Sequence, residues 1–512
     1  MPQKPPVVDY EPVTRSARPK VVPETDGDKW PGASWTDPGS VSEPVYRISG
    51  PQDISAPQAA GNDQYRTTML KRGHALSFAG VVLFTLILYF RPYELFPWLS
   101  WASSSAFVVA LLTLAIFVPT QLGMEGKITF RPKEINLALM LLVAALLSVP
   151  LALERLLAWS SWVEYLKVIV IFIVMVNVVR TEKRLKVMLL LTLITSCILS
   201  VAAINDYRMG KFITDLASNR IRGFIGNLFD NPNDLALHLV TMIPLALGLL
   251  LASRGGLKKL FFAGSAVLII CGVVVTLSRG GFIGMVFAIG MLVFRIAKHN
   301  KWMVITCLPV ALLFFVLLAP GGFRDRMATT SDDSGIARFD ELKRSLFIAA
   351  HHPLFGVGMN NYIFYSNYNH ASHNGYTQVA SELGFPAMFV YISFLVIPLI
   401  QLRRIGRETS GTRRSSGTFY MAAGLEASLF GYMVTSFFLS VSYLWYVYYL
   451  VGYAICFRRI YEASKLKEHG DGAASSDAAV ADKAVNRNTL PRLESAPSAV
   501  SNRAVGKNTD HG

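Results

Sequence analysis

The sequence predicts an all-α integral membrane protein with about twelve transmembrane helices and a large external loop between the ninth and tenth. Three observations predict it. Of 512 residues, 52% are hydrophobic and only 16% charged, against about 25% charged in a soluble domain. Apolar runs of membrane-crossing length recur from residue 75 to residue 457. The excess of 49 Lys and Arg over 34 Asp and Glu gathers in alternate loops, as cytoplasmic loops require. This composition excludes a soluble globular domain, a disordered chain and a disulfide-stapled secreted domain. The net charge of +15 is read as topological, so no nucleic-acid partner is expected.

Residues 1–72 are rich in Pro, Asp, Ser and Gln and lack helical periodicity; they read as a disordered cytoplasmic tail. The first apolar run starts only near Ala75, so no cleavable signal peptide is expected. The membrane region is 73–463. Its spans are expected at 75–90, 103–121, 135–152, 161–179, 187–204 and 233–252, then 259–277, 281–297, 302–319, 384–402, 418–439 and 441–457. Residues 464–512 read as a second disordered cytoplasmic tail. Cys197, Cys271, Cys307 and Cys456 all lie inside apolar runs without metal-ligand spacing, so no disulfide is expected.

The charges test the count. With the N-terminus inside, the cytoplasmic loops hold Lys127, Arg131 and Lys133; Arg180, Lys183, Arg184 and Lys186; Arg254, Lys258 and Lys259; Lys298 and Lys301; Arg403, Arg404, Arg407, Arg413 and Arg414; and Arg458 and Arg459. Every one is basic, and both termini fall inside. Two external segments, 205–232 and 320–383, are too long for simple turns, and long ordered loops usually carry function. The second contains a helical stretch at 336–350, suited to lying on the membrane surface or roofing a cavity.

This topology puts several cationic groups outside. Arg279, in Ser278-Arg279-Gly280-Gly281, sits where charge sorting disfavours it. Its guanidinium fork suits a phosphate, and it equally suits a lipid headgroup. Arg222 lies in a Gly- and Asn-rich segment before Asn231-Pro232-Asn233, which reads as a helix start; chemistry alone does not separate it from Arg220. Arg338 and His373 lie in the large loop. His373 suits a general base, in competition with His351, His352 and His370. The chain has no HExxH, P-loop or GxSxG, and no metal or cofactor site is expected.

These residues resemble the O-antigen ligase and polymerase family of bacterial lipid-linked-oligosaccharide glycosyltransferases. The resemblance spans about 75–460. Its most specific part is Arg338-Phe-Asp-Glu-Leu342, His352-Pro-Leu-Phe-Gly-Val-Gly358 and His373-Asn374 followed by Gly384. Ala387 stands where the family has a small or hydroxyl residue, a mild departure. Arg222-Gly223 with Pro232-Asn233, and Ser278-Arg279-Gly280, resemble the family's first-half motifs.

The resemblance implies a bacterial inner-membrane enzyme using an undecaprenyl-diphosphate-linked glycan on the periplasmic side. Such enzymes transfer it to an acceptor hydroxyl with inversion, without metal or nucleotide sugar. Carried over by motif, Arg222 and Arg279 bind the diphosphate, His373 is the base, and Arg338 orders the loop or touches the diphosphate. Asn374 and Arg220 are further candidate substrate-binding residues. The acceptor is a lipid or a saccharide. The His373-Asn374 match leans the reading toward a ligase over a polysaccharide polymerase. The alternatives from other classes are a transporter or flippase of lipid-linked or anionic substrate, with Glu164 and Glu426 as in-span acids, and a membrane scaffold whose tails recruit partners.

Overall fold

A computed structural model describes residues 74–91, 98–99, 104–126, 129, 131–211, 221, 229, 231–297, 333–366, 371–411 and 416–488, without the side chains of 125, 333–337 and 468–488. All of these belong to the unit Asn62–Gly512. The described helices are α1 (Ala75–Phe90), α2 (Ser105–Glu125), α3 (Lys133–Ser148), α4 (Arg155–Val178), α5 (Glu182–Arg208), α6 (Pro232–Ala252), α7 (Gly256–Val275) and α8 (Arg279–Ala297). Then come α9 (Asp333–His351), α10 (Gly375–Leu383), α11 (Phe385–Thr409), α12 (Ser416–Thr435) and α13 (Trp445–Asn488).

Eight of these, α2 to α8 and α11, are long and apolar enough to cross a membrane. They are apolar nearly all round, as a helix facing lipid on one side and protein on the other must be. The run at 75–90 is helical but shorter. Those at 418–439 and 441–457 form α12 and the start of α13, which fall outside the eight. The run at 302–319 and the first tail, 1–72, lie outside the described residues.

Helices α6 and α12 sit at the centre. Leu235, Ala236, Leu237, Leu239, Val240 and Ile243 of α6 are buried, as are Ala422, Leu425, Ala427 and Leu429 of α12. They approach backbone to backbone. A Cβ on Gly248 would stand 2.9 Å from the Tyr420 carbonyl, and one on Gly424 would stand 2.9 Å from the Pro244 carbonyl. Glycine suits such crossings, because helices in lipid associate through close packing rather than the hydrophobic effect. Gly431 plays the same part against Ala288 of α8.

Two details differ from the sequence reading. His373 does not lead straight into a spanning helix. The nine-residue α10 intervenes and ends at Gly384, whose φ of 90° breaks the helix before α11 starts at Phe385. The loop helix α9 is present, with Phe339, Leu346 and Phe347 of its apolar stripe exposed. Glu341, Ser345, Ile348 and Ala349 turn inward instead. The chain is also helical to Asn488, past the 464 boundary expected from composition. Its Ala-rich run after Gly472 has high helix propensity.

Candidate functional site

Four turns meet at one end of the bundle. The first precedes α8. Thr276 and Ser278 are buried, Leu277 takes a left-handed φ of 54°, and Ser278 Oγ accepts the Gly281 N–H at 3.2 Å. This turn delivers Arg279, half-buried, as the first residue of α8. The second is the start of α6, where Asn231 caps by accepting the Asn233 N–H at 3.0 Å. Ser278 Oγ donates to Asn233 Oδ1 at 2.7 Å and so ties these two turns together. A Cβ on Gly281 would lie 2.6 Å from Ala236 Cβ, so glycine is what permits this closeness.

The third turn carries His373. Its φ of 51° is left-handed, uncommon for a residue with a side chain. Asn374 is buried and caps α10, its Oδ1 accepting the N–H groups of Tyr376 at 2.9 Å and Thr377 at 3.1 Å. Its Oδ1 therefore faces the backbone of its own helix. His373 is half-buried beside it.

The fourth turn, 435–444 between α12 and α13, joins the others. A Cβ on Gly280 would stand 2.9 Å from Phe438 Cβ, and Gly284 packs on Thr435. Ser372 and Ser440 hydroxyls are 3.1 Å apart, and Ser442 Oγ donates to the Gly375 carbonyl at 2.7 Å. A Cβ on Gly375 would lie 3.3 Å from the Leu439 and Ser436 carbonyls. The Arg279 turn and the His373 turn therefore flank one short segment.

Four helices, α6, α8, α10 and α13, begin here. Their N-termini carry partial positive charge, and Arg279 adds a full one. Among the described residues the side chains that join these turns are mainly Ser, Asn and Gly, with Asp234 in the first turn of α6 beside them. The arrangement can receive an anion and, at His373, a proton.

The O-antigen ligase family model matches residues 264–392. The chain carries an O-antigen ligase domain. The matched segment runs from within α7 to within α11 and contains Arg279, Arg338, His373 and Asn374. No curated protein matches the chain.

Within the O-antigen ligase domain, Arg338 lies half-buried on α9, which packs against α10. Arg220 and Arg222 lie outside the described residues. Of the competing histidines, His351 and His352 are exposed at the far end of α9, and His370 is outside the described residues.

The loop itself is fastened to the bundle. Ser148 Oγ accepts the Met359 N–H at 3.3 Å, and Asn361 Oδ1 accepts the Glu154 N–H at 2.8 Å. Tyr362 donates to Glu341 at 2.5 Å, which burial and that carboxylate make harder to ionise. Sequence reasoning passed over Glu382, at the last turn of α10, which is buried. Burial pushes its carboxyl up to about 7. Its only sequence signal was an acid in a loop otherwise read for cations.

Proposed function

We propose that this multi-pass membrane protein transfers a glycan from undecaprenyl diphosphate to an acceptor hydroxyl. The reaction takes place on the periplasmic side of a bacterial inner membrane. The observation that carries this reading is the joining of the Asn231, Arg279 and His373 turns through 435–444. The side follows from charge. Arg180, Arg184, Arg254, Lys258, Arg403, Arg458 and Arg459 lie at the opposite end, and the positive-inside rule supports reading that end, and with it both termini, as cytoplasmic.

His373 takes the proton as the acceptor oxygen attacks the anomeric carbon. The bond to the diphosphate breaks on the opposite face of the sugar, giving inversion. The leaving diphosphate carries away the electron pair. Arg279 and Arg222, with the helix N-termini, stabilise the charge that develops there, the work a metal does in other transferases. Arg338 orders the loop through α9. No metal or cofactor is invoked. The lipid-linked glycan is the donor, and lipopolysaccharide or another polysaccharide is the product.

Ligase is the first reading and polymerase the second, since the acceptor is not encoded in these turns. The transporter reading is weaker because the in-span acids are paired. Glu426 lies 2.7 Å from Arg295, and Glu164 lies 2.6 Å from Lys167. Reconstitution with purified lipid-linked glycan and alternative acceptors tests the proposal. One product band identifies a ligase, a ladder identifies a polymerase, and donor crossing the bilayer without transfer refutes both.

A further inference from the structure

Helix α10 is a strut with a different feature at each end. His373 and the Asn374 cap stand at its start, and Glu382, 3% exposed, stands at its finish. One loop segment wraps that finish. Val357 N–H donates to the Ser381 carbonyl at 2.9 Å, Gly358 N–H donates to the Glu382 carbonyl at 3.0 Å, and Phe385 N–H donates to the Pro353 carbonyl at 2.8 Å. Gly356 and Gly384 take positive φ, and a Cβ on either would run into the facing backbone. The Glu382 carboxyl faces the amides of Asn360 and Tyr362, the Gln378 side chain and the Tyr443 hydroxyl. A buried carboxyl without a cation is costly. Here it is spent on two amides of an irregular turn in which Asn360 has a φ of 58°.

We propose that Glu382 is a positioning residue whose carboxyl fastens the 356–362 turn to the far end of α10 and so sets where His373 stands. The inference rests on the transferase reading of His373. The titratable groups around the carboxyl are Tyr443, with Tyr165 and Tyr391 behind it, and Tyr362, with Glu341 and Arg344 behind it. An unfolded Glu titrates near ~4.3. The folded chain therefore holds this proton more tightly. The stability it contributes is full below ~4.3 and is lost as pH rises through about 7. Above that, a charge is buried in the clamp, and its desolvation cost outweighs the amides that hold the anion, so the folded chain loses stability there. Gln at 382 is a permanently neutral mimic.

The test is steady-state transfer with purified lipid-linked glycan in nanodiscs, from pH 5.5 to 9, beside amide exchange of 353–366. Misplacing a base by ~1 Å costs on the order of 10²-fold. Glu382→Ala should lower kcat by about that much with little change in donor KM, and should raise exchange at 357–362. Glu382→Gln should restore most of kcat and abolish the alkaline fall, leaving the acid limb of the histidine base. A Glu382→Gln profile that keeps the wild-type alkaline limb, or Glu382→Ala with wild-type exchange, would overturn the proposal. His373→Ala is the separate control. Activity there removes the transferase reading, while the exchange of 357–362 still decides the clamp. If Glu382→Ala fails to fold, Glu382→Gln alone decides, by its alkaline limb.

Discussion

At one end of the bundle Arg458 meets Glu134 at 2.7 Å, Lys465 meets Glu408 at 3.0 Å, and Arg295 reaches Glu426. At the other end the contacts that join helices are Ser278 to Asn233, Ser442 to the Gly375 carbonyl and Ser372 to Ser440, with Gly280 and Gly281 pressed on Phe438 and Ala236. Both ends are cationic, yet they spend their cations differently. At the first, basic side chains close helix against helix through carboxylates. At the second, hydroxyls, amides and glycines hold the backbone of the turns that carry Arg279 and His373. The difference teaches that charge at a helix end is not one signal. Under the proposed function, the first set of cations holds helices together and the second serves the ligand.

Substitutions at the two ends should therefore fail in different assays. The largest effect belongs to the Ser/Asn/Gly end. His373→Ala or Arg279→Ala should lower glycan transfer by on the order of 10²–10³-fold, with membrane levels unchanged. Equal loss of protein in immunoblots would erase the distinction. Arg458→Ala should do the reverse. It leaves Glu134 buried and unpaired, at about 3–5 kcal/mol, and thermal unfolding in detergent should fall while transfer per folded molecule holds. Smaller is Gly248→Ala, which drives α6 from α12 and should cost ~1–3 kcal/mol in the same unfolding assay. Smallest is Asn374→Ala. Losing this cap costs ~1 kcal/mol and should fray α10 in amide exchange, with Asn374→Asp retaining most of it.

Much of this was legible in the sequence because lipid imposes strong periodic demands. The apolar runs and basic loops located α2 to α8 and α11, and Ser-Arg-Gly-Gly marked the Arg279 turn. The residues that join the turns were not legible. Ser440, Ser442 and Phe438 are ordinary residues between two apolar runs, and only the packing of α12 and α13 brings them to Gly280 and Gly375. α10 was hidden because Gly384 breaks what reads as one apolar approach to α11. The capping role of Asn374 was not read from the sequence either. Glu382 escaped because a buried carboxyl facing amides has no spacing rule.

The central claim is that the Arg279 and His373 turns rest on one segment. Paired cysteines at 280 with 438, and at 372 with 440, in a background freed of Cys197, Cys271, Cys307 and Cys456, test it directly in native membranes. Mild oxidation followed by peptide mass analysis should show a disulfide for each pair. Folded protein in which either pair stays reduced, or reacts with impermeant thiol reagent only after the inner membrane is broken, would contradict it.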